Sequence, residues 1–106
     1  MIIFVDIDKT ICTATPNDST YDLAQPIHVN IQKINRLYDE GHTIVYWTAR
    51  GSLTGINWDG MTRIQLSMWG CKYHEVRFNK PFYDWFIDDK ALTIEDIENV
   101  IYNGNG

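Results

Sequence analysis

Two pairs of carboxylates follow apolar runs, and they are the side chains best suited to chemistry. Asp6 and Asp8 come directly after the run IIFV, and Asp88 and Asp89 come directly after WFI. Open α/β sheets bind ligands at the edge where their parallel strands end. Carboxylate oxygens are the ligands that hard cations such as Mg²⁺ prefer. The sequence therefore predicts a Mg²⁺ site to which both pairs contribute.

A threonine and a lysine add hydrogen-bond donors near neighbouring strand ends. Thr48 ends the β-rich run HTIVYWT, and Lys80 follows a later β-rich run. A bound Mg²⁺ leaves coordination positions for a phosphate oxygen, and hydroxyl and ammonium groups can bind the other phosphate oxygens. Asp6 would then attack phosphorus as a carboxylate nucleophile. If the strand ends and turns at Asp8, that residue would protonate the leaving alkoxide.

The elements that must position these groups alternate between strand and helix. Strands are predicted over 2–7, 42–48, 73–78 and 83–87, and helices over 27–40, over 59–69 and after Thr93. Residues 12–26 and 49–57 are predicted loops. This alternation predicts an α/β fold with a mostly parallel sheet covered on both faces, in a single domain over 1–106.

Each predicted helix carries an apolar stripe that is expected to face the core. The stripes are Ile27, Ile31, Ile34 and Tyr38 in the first helix, Met61, Ile64 and Met68 in the second, and Ile94, Ile97 and Ile101 in the last. The tail NGNG, residues 103–106, is expected to fray.

Composition narrows the classes of partner. The 106 residues carry a net charge of −5, which argues against broad electrostatic binding to nucleic acid. No apolar run reaches membrane-spanning length, and the N-terminus has no signal-peptide pattern, so a cytoplasmic location without membrane contact is the expectation. Cys12 and Cys71 lack metal-binding spacing and are interpreted as small apolar residues.

Taken in order, the polar groups resemble the four motifs of the haloacid dehalogenase superfamily of phosphotransferases. These motifs are DIDKT at 6–10, Thr48 after an apolar strand, Lys80, and the pair DD at 88–89, and together they span nearly the whole chain. The resemblance implies a three-layer Rossmann-like sandwich. Asp at the second acidic position of the first motif matches the phosphatase branch.

The resemblance also implies a role for each motif residue. Asp6 would be the nucleophile that becomes an aspartyl-phosphate, and Asp8 would be the general acid and base. Both would ligate Mg²⁺. The remaining implied roles are phosphoryl binding by Thr48 and Lys80 and metal binding by Asp88 and Asp89.

A narrower likeness concerns substrate and size. The segments GHTIVYWTARG, TGINW and FIDDKA are similar to small capless phosphatases of bacterial capsule or surface-polysaccharide biosynthesis. This likeness implies a phosphorylated sugar as substrate. Without a cap domain, the site would be open to a large substrate or covered by another subunit, so self-association stays open. Lys9 stands where many superfamily members have glycine.

Arg50 is the main candidate outside the motifs. It lies two residues after Thr48, and its guanidinium fork suits a phosphate, so Thr48, Ala49 and Arg50 are together predicted to bind the substrate. The other interpretation is a surface salt bridge. The phosphatase domains of polynucleotide kinase-phosphatases look similar here, which leaves a polynucleotide-end phosphatase as an alternative. A non-catalytic phosphate- or metal-binding module is the third possibility.

Overall fold

The computed structural model describes residues 1–102, and its centre is a parallel sheet of three strands. The strands are β1 (Ile2–Val5), β2 (Thr43–Trp47) and β3 (Glu75–Arg77), in the spatial order β1-β2-β3. Val5 is level with Tyr46, and Tyr46 is level with Val76. The predicted α/β class and parallel pairing are therefore confirmed at this level.

Two α-helices connect the strands. They are α1 (His28–Asp39) and α2 (Asp59–Met68), close to their predicted bounds. A single turn of 3₁₀ helix at Tyr21–Leu23 interrupts the long loop before α1. Among residues 1–102, no helix is long and apolar enough to cross a membrane.

The core lies on one face of the sheet. Val5, Ile44 and Tyr46 belong to the same buried cluster as Leu37 of α1 and Leu66 of α2. The cluster also contains Ile31, Ile34, Val76 and Ile97. Alternate residues of a strand point to opposite faces, so this set defines the covered face.

The opposite face of the sheet is largely open. Ile2 is 73% exposed and Phe4 is 47% exposed. Glu75 and Arg77 are exposed on the same face of β3, although Val45 in the middle of the sheet is buried. A second helical layer is not seen over this face within residues 1–102.

The predicted core face of α2 is wrong. Met61, Ile64 and Met68 point to solvent, with Met68 79% exposed. Thr62 and Gln65 are buried in their place, beside Leu66 of the core cluster. The polar face of α2 points inward, where the side-chain oxygen atoms of Thr62 and Gln65 accept hydrogen bonds from the buried Arg50.

The predicted fourth strand over 83–87 is also wrong, because these residues form no strand. Trp85 is 89% exposed and Ile87 is 97% exposed. The backbone N–H of Lys80 is bound to the carbonyl of Thr48 at 3.1 Å, at the edge where the parallel strands end. Two parallel strands of one sheet need a connection of about a dozen residues or more. Residues 78–82 alone connect the end of β3 to the predicted start of the fourth strand, so this connection is too short.

The last predicted helix is helical but not a regular α-helix. Ile94–Asp96 forms a 3₁₀ turn and Glu98–Tyr102 forms a π-helical turn. Thr93 caps its first turn, because its backbone N–H and hydroxyl both donate to Asp96 Oδ2 while the Asp96 N–H donates to the Thr93 carbonyl at 3.1 Å. Ile97 is buried in the core. The expectation for residues 103–106 lies outside the described part of the chain.

Candidate active site

Asp6 and Lys80 meet at the edge where the strands end. Asp6 directly follows β1, and Lys80 Nζ lies 3.7 Å from Asp6 Oδ1. The lysine side chain is only 14% exposed, whereas that of Asp6 is 41% exposed. Burial raises the pKa of Asp6 above its ordinary value, and the Lys80 ammonium opposes that rise. The pair places a carboxylate and a cation at an accessible position.

The backbone around Lys80 fixes its approach. Asn79, just before it, adopts a left-handed conformation with φ +64°. Ser52 Oγ donates to the Lys80 carbonyl at 2.7 Å. Lys80 Nζ lies 5.7 Å from the ring centroid of Trp47 and 5.4 Å from that of Tyr83, within the range of cation–π attraction. These contacts hold the ammonium over the strand ends.

Thr48 is brought to the same edge by β2. Its backbone N–H donates to the Arg77 carbonyl at 2.9 Å, which continues the sheet by one residue. Its side chain is buried, and Thr48 Oγ1 accepts the Arg50 N–H at 3.1 Å. A hydroxyl that accepts one hydrogen bond can still donate its own proton. Ala49 is partly buried between these two residues.

Asp8 lies in a tight turn, as predicted if the strand ended there. The N–H groups of Thr10 and Ile11 both donate to the Ile7 carbonyl, at 3.1 and 3.0 Å. Lys9 has φ +67°, in the left-handed region that favours glycine. The lysine at a position where the resembled family often has glycine therefore carries a local backbone cost.

Arg50 binds Asp8 through both arms of its fork. Arg50 Nε lies 2.9 Å from Asp8 Oδ2, and an Arg50 terminal nitrogen lies 2.9 Å from Asp8 Oδ1. The arginine is 3% exposed, so this is a buried ion pair and not a surface one. Cys12 Sγ donates to Asp8 Oδ1 at 3.4 Å. Burial, assisted by the Asp8 charge, raises the pKa of Cys12 to about 12, so the thiol keeps its proton.

The other arginine donors face α2. The second terminal nitrogen of Arg50 donates to Thr62 Oγ1 at 3.0 Å and to Gln65 Oε1. Gln65 Nε2 in turn donates to the Tyr21 carbonyl at 2.8 Å, and the Tyr21 ring lies 4.9 Å from the guanidinium carbon. The donors of Arg50 are thus directed into the protein, and its predicted phosphate contact would require some of these bonds to open.

Asp88 and Asp89 are not brought to this site. Both are exposed, and the Asp89 N–H donates to Asp88 Oδ1 at 2.7 Å. A side-chain hydrogen bond between the two carboxyl groups lowers the pKa of Asp88 and raises the pKa of Asp89. Within the described residues, no group of three or more acidic, histidine or cysteine side chains is placed to hold a metal ion. The predicted four-carboxylate Mg²⁺ site therefore does not fit a single chain.

Two hollows of very different size lie beside the strand ends. The larger, about 530 Å³ and open to solvent, is lined by residues that include Arg50, Trp58 and Asn79. The smaller, about 40 Å³, opens next to Ala49 and Gly51, with Asp18 and Tyr21 of the 12–26 loop on its other side. That volume has room for ordered water but not for a sugar phosphate. The strand ends of one chain are therefore open to solvent, and the prediction that another subunit covers them stays a prediction.

Four polar or aromatic partners of the Asp8–Arg50 pair were not predicted from the sequence. They are Cys12, Tyr21, Thr62 and Gln65. Thr62 and Gln65 are three residues apart and so lie on one helical face. This spacing could have predicted a polar face of α2 that binds a buried side chain. It was outweighed by the apolar stripe on the other face of α2.

The comparisons with known proteins support the fold. No family model and no curated protein matches the chain. A crystal structure of a structural-genomics target from Vibrio cholerae is similar to it, with a TM-score of 0.85 and 23% sequence identity. The match covers 98% of this chain and 92% of that one. At this level of identity the likeness concerns the fold alone.

Proposed function

We propose that the protein is a Mg²⁺-dependent phosphomonoesterase that acts through an aspartyl-phosphate on a small phosphorylated sugar or related metabolite. The observation that carries this proposal is the pair at the strand ends, where Lys80 Nζ lies 3.7 Å from the Asp6 carboxylate. Thr48 ends the neighbouring strand and adds a hydroxyl. We also propose that the fold is a capless core of the haloacid dehalogenase type.

The proposed chemistry has two steps at Asp6. A carboxylate oxygen of Asp6 forms a bond to phosphorus while the bond from phosphorus to the substrate oxygen breaks. Lys80 and Thr48 bind phosphoryl oxygens as negative charge shifts between them. Water then attacks the aspartyl-phosphate, which releases inorganic phosphate and regenerates the carboxylate.

Asp8 is the proposed proton donor to the leaving oxygen, and Arg50 positions it. Both carboxylate oxygens of Asp8 accept N–H groups of Arg50, and Oδ2 keeps a second lone pair that can hold the transferable proton. Asp8 gives this proton to the leaving oxygen in the first step and takes one back from the attacking water in the second. The fork of Arg50 fixes the plane of the Asp8 carboxylate in the resting state. In this proposal Arg50 is a positioning residue and not a direct ligand of phosphate.

The Mg²⁺ requirement rests on the chemistry of the carboxylates and not on a cluster within one chain. A bound cation would neutralise phosphate and carboxylate charge and polarise the transferring group. Asp6 remains accessible for this role, but Asp88 and Asp89 lie elsewhere in the single chain. The proposed proton and phosphoryl transfers therefore use the side chains of four residues, Asp6, Asp8, Thr48 and Lys80.

The polynucleotide-end alternative loses its main support. It was favoured by an open site and by Arg50 as a substrate contact, and the arginine is buried among protein acceptors. The net charge of −5 also gives no electrostatic attraction for a polyanion. A binding module without catalysis stays as the alternative outcome of the experiment below.

The test is Mg²⁺-dependent phosphate release from a panel of phosphorylated sugars, nucleotides and phosphorylated oligonucleotides. We expect release from sugar phosphates, loss of activity in excess EDTA, recovery with Mg²⁺, and a loss of at least about 1,000-fold in Asp6→Asn. Release from oligonucleotides alone would establish the polynucleotide alternative. Equal release by wild type and Asp6→Asn would contradict the nucleophile assignment.

The same variant has an expected stability signature. Because burial raises the pKa of Asp6, the folded state holds this proton more tightly than the unfolded state does. The ionised carboxylate therefore lowers stability as pH rises through the interval between the unfolded and folded pKa values. We expect Asp6→Asn to match or exceed the wild-type melting temperature at pH 7, with the difference shrinking below pH 4. A clear loss of stability would show that attraction to Lys80 outweighs burial.

A further inference from the structure

The two edges of the sheet differ in how they are protected. β3 carries Glu75 and Arg77, which form an ion pair at 3.0 Å and mark that edge with charge. β1 has the sequence IIFV, without charge or proline, and within residues 1–102 it pairs with β2 alone. Unprotected apolar edge strands are sites where another strand adds. The β1 edge is therefore the place in this sheet that is suited to receive a strand.

The chain also holds a strand-like segment that has no partner. Residues 82–87, FYDWFI, are rich in aromatic and β-branched residues and contain no proline or glycine. We call these residues the exposed segment. Phe82 is 64%, Trp85 is 89% and Ile87 is 97% exposed. Apolar side chains this exposed and this close together mark an interaction surface.

The exposed segment cannot reach the β1 edge of its own chain in the parallel direction. Lys80 is held where the strands end, with its N–H on the Thr48 carbonyl and its carbonyl bound by Ser52. From there, three residues span at most about 10 Å. A parallel strand of five residues would have to begin about 16 Å back along β1, on the far side of the sheet. An antiparallel strand beside β1 would place Asp88 near the start of β1, at the edge of the sheet opposite Asp6.

We propose that the exposed segment of one copy pairs in parallel with the β1 edge of a second copy, and that the exchange is mutual. In this dimer Asp88 and Asp89 of each chain follow a strand that lies directly beside the partner's β1. They would then stand next to the partner's Asp6. Asp6 of one chain and the Asp88–Asp89 pair of the other would then hold a cation between them, a set of carboxylates that residues 1–102 of one chain do not bring together.

A second copy is the partner that the chain itself favours. One chain supplies both the free edge and the strand that fits it, so a two-fold exchange satisfies both at once. The strand-exchange part rests on exposure and chain length. The shared metal site rests in addition on the proposed function, and the tests below separate the two.

The first test measures mass without reference to activity. The chain has a mass of 12.4 kDa, and we expect twice that mass by light scattering at micromolar concentration. Trp85→Lys should shift the protein to monomer and keep the helical circular dichroism signal and cooperative unfolding of wild type, because Trp85 is 89% exposed in its own chain. Val29→Lys, at an exposed position on α1 (59%), is the matched control and should remain dimeric.

The second test asks whether the site is shared. Asp6→Asn and the double variant Asp88→Asn/Asp89→Asn should each be inactive alone. Unfolded together and refolded, they form mixed dimers in which one of the two sites has both acidic pairs, so about one quarter of wild-type activity should return. A single tagged copy should co-purify with the untagged variant in the same sample.

The outcomes are distinct. A fully active monomer would overturn the strand exchange and leave the phosphatase proposal standing. A dimer that Trp85→Lys does not dissociate would overturn the assigned interface. A dimer that Trp85→Lys dissociates, with no phosphatase activity in the wild type, would keep the exchange and reject the proposed function. Mixed dimers without recovered activity, in an active wild type, would overturn the shared site.

Discussion

The surroundings of Arg50 and the exposed segment invert the usual rule of burial. Arg50, a charged residue, is 3% exposed, whereas Trp85 and Ile87, both apolar, are 89% and 97% exposed. Each is explained by its partners. The arginine finds Asp8 and the oxygen atoms of α2 within the chain, and the exposed segment finds no neighbouring strand. Partner supply, and not residue polarity alone, decides which groups this chain buries.

The comparison also links the site to its assembly. The Asp8–Arg50 pair binds the polar face of α2, and Asp8 belongs to the first acidic pair. The exposed segment carries the second acidic motif at its end. One motif is therefore fixed inside a single chain, and the other is held on a segment that we propose acts in a second copy.

The largest expected effect comes from removing the buried charge. Arg50→Ala leaves Asp8, Thr62 and Gln65 without their donor, and we expect a loss of about 3–5 kcal/mol in the free energy of unfolding, measured in urea. The matched control is Arg63→Ala, which breaks only the exposed pair with Asp59. That change should cost less than about 0.5 kcal/mol. Equal losses of unfolding free energy in the two variants would show that the hydrogen bonds of Arg50 stabilise the fold no more than an exposed ion pair does.

A smaller effect is expected where the loop after Arg50 turns. Gly51 has φ +83°, and a Cβ placed there would lie 2.3 Å from the Ile56 carbonyl oxygen. We expect Gly51→Ala to cost about 2–3 kcal/mol in thermal or urea unfolding. Gly55→Ala is the control, since Gly55 has φ +74° but open space around it. Its cost should be about 1 kcal/mol, from backbone strain alone.

The smallest effect is expected in the exposed segment of a dilute monomer. Ile87→Ala should change the free energy of unfolding by less than about 0.5 kcal/mol, because its side chain is 97% exposed. The same substitution at Ile34, which is 2% exposed, should cost about 2–5 kcal/mol.

The concentration dependence of Ile87→Ala sharpens the result. Wild-type stability should rise with protein concentration if the segment is buried in a dimer, and Ile87→Ala should weaken that rise. A large loss in the dilute monomer would show that Ile87 is buried within its own chain.

Much of the fold was predictable because its signals are local. A continuous apolar run predicted β1, β-rich runs predicted β2 and β3, and helical spacing of isoleucines predicted α1 with Ile31 and Ile34 inside. The tight turn at Asp8 was also expected. The core face of α2 was not, because the apolar stripe of Met61, Ile64 and Met68 is a local pattern whereas the demand for acceptors comes from Arg50, across the fold.

The candidate site divides in the same way. The sequence predicted Asp6, Thr48 and Lys80 at neighbouring strand ends, and the structure brings them to one edge. It also predicted a substrate contact for Arg50 and a strand over 83–87. The environment of Arg50 depends on which atoms surround its guanidinium, and the strand depends on how far the chain can reach after Lys80. The spacing of residues along the sequence contains neither distance.

The parallel α/β core, the turn that ends β1 and the order of the polar groups follow from the amino-acid sequence, because strand and helix periodicities are set by neighbours in the chain. The burial of Arg50 on Asp8 and the separation of the two acidic pairs follow from the folded arrangement. Both depend on distances between residues far apart in sequence. A guanidinium takes whichever acceptors the packing supplies, and a strand pairs only where its connection can reach.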